Sequence, residues 1–292
     1  MPLDTILVGQ SRTRSTSSLV TDSAAGATAF SCAKKTYNAA IAVDDERVPC
    51  GTVLEAAKAK GMITGLVATS RITHATPAAF SAHVVHRDME NEIARQQVGN
   101  YVLGRQVDLL LGGGRCHFMH SSLNGSCRAD DDDVWKDAQD AGWKFIQTRK
   151  EFDEIDRQHP PFPLAGLFTL DHMSYEIDRN PNEEPSLKEM AAAALSMLQT
   201  AAVSIDKGFF VMIEGSRIDM AAHSNDPAAH VHDILQYQET IAFVKSWVDD
   251  HPGTVMISVS DHETGGLTLA RQVSSAYPEY LWCVRCLKFC RY

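Results

Sequence analysis

The sequence predicts an α/β domain whose mostly parallel sheet is covered by helices on both faces. Three observations carry this prediction: continuous apolar runs typical of buried strands, helical patterns that separate these runs, and a length of 292 residues, which suffices for one large domain. The sequence contains no internal repeat. We therefore expect a single domain over residues 1–292.

Helices and strands are predicted in strict alternation. The first helix ends at Gly61, the second carries Pro77, which suits a first helical turn, and the third begins with a serine cap. The predicted helices cover residues 52–60, 77–85, 186–201 and 226–250, and the predicted buried strands cover 62–70, 107–111, 208–214 and 254–260.

The segment 116–185 is more polar and irregular than the rest of the chain. It contains an aspartate run at 130–133 and three prolines between 160 and 163. We interpret the segment as a surface excursion from the main sheet. The aspartate run lacks the spacing and the glycine of a calcium loop, so we interpret it as the solvated start of a helix.

Charge and hydropathy exclude several classes of function. The net charge is −10, so we expect no nucleic-acid partner and no broad binding to an anionic membrane. No apolar run approaches the length of a transmembrane helix, and the first residues do not follow the pattern of a signal peptide.

The cysteines fall into three groups. Cys116 and Cys127 bracket a short, turn-rich segment and could pair as a local disulfide in an oxidising compartment. A C-x-x-C spacing near the end could bind zinc, but no second pair of ligands follows it. The other groups are Cys32 and Cys50, interpreted as isolated core thiols, and the closing trio Cys283, Cys286 and Cys290.

Potential metal ligands follow three of the predicted strands. In open α/β sheets, ligands bind beyond the carboxyl ends of the strands, so side chains placed there meet in one cleft. A core strand alone gives no reason for this coincidence. The residues are His74 and Thr76 after the first strand, Glu214, Asp219 and His223 after the third, and Asp261 and His262 after the fourth.

The spacing of these residues favours cations. Asp219 and His223 are four apart and share a face if they lie on a helix. The adjacent Asp261 and His262 can both point into one cleft only at a turn. Carboxylate oxygen with imidazole nitrogen suits zinc, whereas the oxygens of Glu214 and Thr76 suit magnesium. Each pair alone is also typical of an exposed helix or a polar strand end.

Asp22 and Ser23 precede a run of tiny side chains. A serine hydroxyl is a poor nucleophile unless it is activated, so Ser23 either caps a helix or has an activating group elsewhere. No G-x-S-x-G elbow surrounds it, whereas a zinc ion beside the hydroxyl would lower its pKa. Arg87 could bind phosphate oxygens, or it is a surface arginine at a helix end. The tiny side chains are Ala24, Ala25, Gly26 and Ala27.

Four segments together resemble the alkaline phosphatase family, and within it the fungal, vacuolar type. They are VTDSAAGATAF, HATPAAFSAHVVHR, EGSRIDMAAH and SDHETGG, which match in order and at compatible separations over residues 5–282. The resemblance implies a zinc- and magnesium-dependent phosphomonoesterase. It also implies a three-layer α/β/α sandwich with a large, mostly parallel sheet, which would be incomplete here.

The resemblance also implies a role for each matching residue. Ser23 resembles the nucleophile that becomes phosphoserine, Arg87 the phosphate clamp and Asp22 the residue that holds this arginine. Two zinc ions and one magnesium ion are implied. Their ligands would be Asp219 and His223 for the first zinc, Asp261 and His262 for the zinc beside the serine, and Glu214 and Thr76 for magnesium, with His74 close by.

Substrate, assembly and location are expectations from the same resemblance. The family implies small phosphate monoesters or phosphoproteins as substrates, a homodimer, and a vacuolar location with a membrane anchor in the intact family member. Two rivals stay open: another phosphatase, diesterase or sulfatase of the same superfamily, and a non-catalytic metal-binding fragment.

Two of the family's metal ligands have no counterpart in this sequence. One is an aspartate in an upstream D-G-M-G-like motif, and the other is a histidine in a downstream H-T-type motif. The ending at 283–292, CVRCLKFCRY, resembles nothing in the family. We therefore expect an incomplete or mis-spliced gene model with an aberrant tail, and a polypeptide that folds poorly and has little activity.

Overall fold

A parallel five-stranded sheet forms the centre of the computed structural model, which describes residues 1–264. The strands lie in the order β3-β4-β2-β1-β5, and every neighbouring pair is parallel. Their bounds are β1 Ile63–Arg71, β2 Leu109–Gly113, β3 Lys144–Ile146, β4 Leu164–Leu167 and β5 Phe209–Glu214. The predicted parallel α/β class is confirmed.

Helices connect the strands, as parallel pairing requires. They are α1 Ser23–Cys32, α2 Val53–Ala59, α3 Ala75–Ser81, α4 Glu90–Gln97, α5 Val134–Asp140, α6 Arg149–Asp153, α7 Leu187–Ser204, α8 Arg217–His223 and α9 Pro227–Asp249, with short 3-10 helices at Pro2–Ile6 and Arg115–His117. None of these helices is both long and apolar enough to cross a membrane.

Both faces of the sheet are buried, which gives three layers. In β1, Leu66 packs with residues of α2 to α5, whereas its neighbour Val67 packs with residues of α6 and α7. Successive side chains of a strand point to opposite faces, so a strand covered on both sides must be apolar throughout. This is why the buried strands appear as continuous apolar runs in the sequence.

The ends of the helices follow from local chemistry. Thr52 and Glu55 form a capping box at the start of α2, and Gly61 adopts a φ of +79° just after its end. Ser186 caps α7 as predicted. The helix predicted at 77–85 instead begins at Ala75 and ends at Ser81, because the next residue is extended.

The prediction of a buried strand at 254–260 is wrong for this structure. The segment has no regular secondary structure and pairs with no strand among residues 1–264, and Val255 and Ile257 are each 84% exposed. Met256 packs against α7 and α9, and the Ser258 hydroxyl lies 2.8 Å from that of Tyr237. One side of the segment is therefore held, while no layer among residues 1–264 covers the other. For the same reason β5, the last strand on this side, is only half-buried.

The segment 116–185 is not simply a surface excursion, because it supplies two strands of the sheet. β3 and β4 are only three and four residues long, too short to stand out from polar surroundings. The aspartate run does start a helix: the Asp133 carboxylate accepts a hydrogen bond from the Lys136 amide and caps α5. The single domain over 1–292 stays a prediction, and the tail at 283–292 lies outside the described residues.

Two of the cysteine groups lie within the described residues. Cys116 and Cys127 form the disulfide that their spacing suggested. Cys32 and Cys50 are not isolated core thiols: both are half-buried, and the Cys32 thiol donates a hydrogen bond to the Cys50 carbonyl at 3.0 Å. Burial raises the pKa of both thiols. Cys283, Cys286 and Cys290 lie outside the described residues.

Glu189 gives a test of the fold that is independent of the site. It completes the capping box of α7 with Ser186 and accepts a hydrogen bond from Arg149 at 2.7 Å. Burial raises its pKa, but the hydrogen bonds from Arg149 and Ser186 outweigh this and hold the pKa at about 2. A carboxyl whose pKa falls on folding contributes stability above pH 4.5, its ordinary pKa, and loses it as the pH falls towards 2.

We expect Glu189→Gln to lower the free energy of unfolding at neutral pH by about 1 kcal/mol, because it loses a partly solvated ion pair with Arg149 and the negative charge behind its capping hydrogen bonds. The difference from the parent protein should shrink as the pH falls below 4.5. Urea unfolding at several pH values measures it. Glu183→Gln is the matched control on an exposed glutamate, and an equal loss there would contradict the account.

Candidate active site

Ser23 is the first residue of α1, and its position depends on the small residues that follow. The Asp22 carboxylate caps the helix by accepting a hydrogen bond from the Ala25 amide at 3.0 Å. Ala24 and Ala27 are fully buried against the alanines of α3. Side chains this small let the two helices pack closely, which explains why the run is needed.

Arg87 lies beside Ser23 and is held from two sides. Its Nη1 donates to the Asp22 carboxylate at 3.1 Å, and its Nη2 lies 3.1 Å from Nε2 of His74. Burial, together with the charge of Arg87, lowers the pKa of His74 to about 3. His74 is therefore neutral and accepts the hydrogen bond from the guanidinium. The arginine is fixed in the cleft and is not a surface residue at a helix end.

His262 brings the far end of the described chain to the serine. Its Nε2 lies 3.1 Å from the Ser23 hydroxyl oxygen, although 239 residues separate the two. The same nitrogen lies 3.4 Å from the carboxylate of Asp261 and 4.0 Å from that of Asp219. The residues following two different predicted strands thus meet at Ser23, as the strand-end argument requires.

Asp219 and His223 lie on α8 as an i, i+4 pair. The Asp219 carboxylate is 3.3 Å from Nε2 of His223 and accepts a hydrogen bond from the Thr264 hydroxyl at 2.7 Å. The His223 side chain is 62% exposed. The spacing that predicted a shared helical face is therefore realised at the edge of the cleft.

Glu214 ends β5 and lies deepest in the group. Its carboxylate accepts a hydrogen bond from the Ser216 hydroxyl at 2.6 Å. Its pKa is raised to about 7, mainly by burial. The nearby charges of Asp261 and Asp219 also raise the pKa, whereas hydrogen bonds from Ser216 and Thr76 lower it. Thr76, in the first turn of α3, is thus placed next to the buried carboxyl.

This group of side chains fits divalent cations. Among residues 1–264, no lysine or arginine forms an ion pair with the carboxylates of Glu214, Asp219 or Asp261, so no paired lysine or arginine in that part of the chain offsets their mutual repulsion. Carboxylate and imidazole donors suit zinc, and the oxygen-only pair of Glu214 and Thr76 suits magnesium. The carboxylate and imidazole donors are Asp219, His223, Asp261 and His262.

A second cluster, Cys116, His117 and Cys127, also has donor atoms within 4.8 Å of one another. Both thiols are consumed in the disulfide, and metal binding by cysteine requires a thiolate. We therefore do not assign a metal site there.

Seven of the predicted residues border one cavity of about 500 Å³, whereas Thr76, Glu214 and Asp261 do not line it. The seven are Asp22, Ser23, His74, Arg87, Asp219, His223 and His262. Four residues of the cavity wall were missed by the sequence analysis: His172, Tyr175, Arg217 and Met220. Arg217 and Met220 lie inside the segment EGSRIDMAAH, which the sequence analysis singled out, whereas nothing in the sequence marks His172 or Tyr175.

The chain matches known proteins over most of its length. The family model described as alkaline phosphatase matches residues 2–286. The alkaline phosphatase of Schizosaccharomyces pombe is 54% identical over 284 residues, and the repressible alkaline phosphatase of Saccharomyces cerevisiae is 50% identical over 301 residues. In both cases the match covers 97% of this chain but 53% of the relative, so the chain spans about half the length of these relatives.

Solved structures of alkaline phosphatases are similar to this chain in fold. The alkaline phosphatase of the Antarctic bacterium TAB5 superposes with a TM-score of 0.76 at 33% identity, over 90% of this chain and 71% of that one. A mutant of the same enzyme, described with Mg bound, gives a TM-score of 0.75 at 32% identity over 88% and 68% of the two chains.

Proposed function

We propose that the site hydrolyses phosphate monoesters through a phosphoserine on Ser23, because the chain belongs to the alkaline phosphatase family. One observation carries the proposal: the Ser23 hydroxyl lies 3.1 Å from Nε2 of His262, in the same cavity as Arg87. A nucleophile, an anion clamp and a set of cation ligands are thus combined around one space.

Arg87 binds the phosphoryl group in this mechanism. A guanidinium can donate two parallel hydrogen bonds to phosphate oxygens, and Asp22 and His74 orient it before the substrate arrives. Because the arginine is already held in place, little is lost when the substrate binds. Its positive charge also offsets the negative charge of the phosphoryl oxygens.

Ser23 performs the covalent step. Its oxygen forms a bond to phosphorus while the bond to the ester oxygen breaks and the alcohol leaves. Water then attacks the phosphoserine, breaks the bond to Ser23 and releases inorganic phosphate. Two successive displacements at one phosphorus give overall retention. The position of Ser23 at the start of α1 places bare backbone amides next to the incoming anion.

We propose two zinc ions and one magnesium ion as cofactors. Asp261 with His262 would hold one zinc, Asp219 with His223 the second, and Glu214 with Thr76 the magnesium. When bound, such cations lower the pKa of a serine hydroxyl or of water and stabilise charge on phosphoryl oxygens. The uncompensated carboxylates around Glu214 support this assignment.

Small phosphate monoesters are the proposed substrates, with phosphoproteins as the second class, because the cavity of about 500 Å³ admits a small ester or a phosphorylated side chain. A homodimer and a vacuolar, membrane-anchored location are proposed from the resemblance to the fungal type alone. Light scattering of the purified protein and fluorescence microscopy of the tagged protein test these two proposals.

The test of the function compares three esters on the purified chain with added zinc and magnesium. We expect hydrolysis of p-nitrophenyl phosphate to exceed that of bis(p-nitrophenyl) phosphate and p-nitrophenyl sulfate. A preference for the diester or the sulfate would favour another activity of the same superfamily. No hydrolysis of any of the three would favour a non-catalytic role.

Arg87 provides a further prediction. We expect Arg87→Ala to lower kcat/KM for p-nitrophenyl phosphate about a hundredfold, because it removes charged hydrogen bonds to the phosphoryl oxygens. Arg87→Lys keeps the charge but not the paired geometry, so it should recover only part of the loss. Steady-state kinetics measures both, and full activity of Arg87→Ala would contradict the assignment.

A further inference from the structure

Arg217 lines the same cavity as Ser23 and Arg87 but takes no part in the mechanism above. It is the first residue of α8 and stacks on the ring of Tyr175, with its guanidinium carbon 3.6 Å from the ring centre. A contact this close fixes the plane of the guanidinium and leaves its N–H groups in the plane free to bind.

The hydrogen-bonding capacity of Arg217 is poorly used. Its Nη1 donates to the sulfur of Met220 at 3.0 Å, and a thioether is a weak acceptor. Its Nε is buried and has no hydrogen-bond partner. Because an atom closed to water is also closed to a ligand, the donor available to an anion is Nη2, which bonds to no protein acceptor among residues 1–264.

The charge of Arg217 is also uncompensated, unlike that of Arg87. Arg87 is paired with Asp22 at 3.1 Å, whereas no carboxylate among residues 1–264 forms an ion pair with Arg217. The charge of Arg217 acts on Asp233 without forming an ion pair: burial raises the pKa of Asp233, the Glu176 amide and the charge of Arg217 lower it, and the net pKa is about 6.

The neighbouring histidine adds no competing anion. Burial, together with the charge of Arg71, lowers the pKa of His172 to about 4, so His172 is neutral. Its two ring nitrogens lie 3.0 and 2.9 Å from the backbone nitrogen and the guanidinium of Arg71, which holds the ring in the cavity wall. The cavity wall thus carries the unpaired cation of Arg217 next to the neutral ring of His172 and the ring of Tyr175, and it also includes the carboxylates of Asp219 and Glu263.

We propose that Arg217 forms a subsite for a second anionic group of the substrate. The substrate class is a phosphate monoester that carries a further carboxylate or phosphate on its leaving group. Arg87 binds the phosphoryl group that is transferred, and Arg217, supported by Tyr175, binds the second anion across the same cavity. The proposal rests on the proposed function, since it names the substrate class of the same site.

Matched substrate pairs test this subsite. Phosphoglycerate and glycerol phosphate differ by a carboxylate, as do carboxyphenyl phosphate and phenyl phosphate. For each pair, the ratio of the two kcat/KM values measures the contribution of the second anion. We expect Arg217→Met to reduce this ratio about tenfold for at least one pair, because a charged hydrogen bond is lost. An unchanged ratio for both pairs would overturn the proposal.

Two further variants separate a subsite from a general loss of charge or of packing. Arg157→Met removes an arginine that lies 5.8 Å over the ring of Phe152, outside the cavity, and should leave both ratios unchanged. Arg217→Lys keeps the charge and should recover part of the discrimination. If Arg157→Met lowers the ratios as much as Arg217→Met does, net charge and not a subsite is responsible.

A binding measurement distinguishes failure of the subsite from failure of the proposed function. In a Ser23→Ala background, isothermal titration compares the affinities for phosphoglycerate and glycerol phosphate without turnover. We expect tighter binding of phosphoglycerate, and loss of the difference when Arg217→Met is added. If the parent chain hydrolyses no ester but this difference is present, the proposed function fails while the subsite stands. Equal affinities for both ligands would refute the subsite.

Discussion

Ser23→Ala is expected to lower kcat for p-nitrophenyl phosphate about a thousandfold while phosphate still binds. The substitution removes the oxygen that forms the bond to phosphorus, but it leaves Arg87, Asp22 and the cation ligands in place. A residual rate should remain, because water can still attack a substrate that is bound and electrostatically stabilised.

Ser31→Ala, a serine-to-alanine change in the same helix, controls for structural damage. Ser31 lies on α1, is also buried, and its hydroxyl donates only weakly, to the Thr28 carbonyl at 3.4 Å and to the Cys32 sulfur at 3.8 Å. Ser31→Ala should therefore keep kcat within a few-fold of the parent value. Steady-state kinetics and inorganic phosphate inhibition measure both variants. A Ser23→Ala protein that retains half of its activity would show that Ser23 is not the nucleophile.

Removing the cations is expected to have an effect of similar size. Chelation should abolish hydrolysis and lower the melting temperature, because bound metal stabilises only the folded state. Zinc together with magnesium should restore both properties. The structural reason is that Glu214, Asp219 and Asp261 form no ion pair with a lysine or arginine among residues 1–264, so without a cation their repulsion opposes folding.

A single ligand can be tested in the same way. Asp261→Asn should lower zinc affinity about tenfold to a hundredfold, since it exchanges a carboxylate next to Ser23 for a weaker amide ligand. Competition with a chromogenic chelator measures this. Asp131→Asn, on an exposed aspartate of the 130–133 run, is the matched control. Zinc affinity that is equal in the two variants would contradict the assignment of Asp261.

Much of the fold could be predicted from the sequence, because its strands are buried on both faces. Leu66 and Val67 pack on opposite sides of the sheet, so the run that contains them is apolar throughout and easy to recognise. β3 and β4 could not be recognised in this way, since three or four residues give no reliable pattern. At 254–260 the apolar run suggested burial, but burial needs a covering layer, which a local pattern does not reveal.

The residues of the site were predicted better than their surroundings. The strand-end argument placed Asp219, Asp261 and His262 in one cleft, and the distances show that they do lie together. The reason given for Asp261 and His262 was wrong, because the segment 254–260 before them forms no strand within residues 1–264. Their roles stay predictions. Arg217 was missed because an arginine two residues before a suspected ligand has no pattern of its own; its unpaired charge and its contact with Tyr175 exist only in three dimensions.

The central claim is that Ser23 carries the phosphoryl group, and acid trapping tests it most directly. The purified protein, loaded with zinc and magnesium, is mixed with a phosphate monoester, quenched in acid, digested and mapped by mass spectrometry. The account predicts one phosphate, located on Ser23, absent from Ser23→Ala and retained in Ser31→Ala. Phosphate on another residue, or turnover of the ester with no trapped phosphoserine at any pH of quenching, would contradict it.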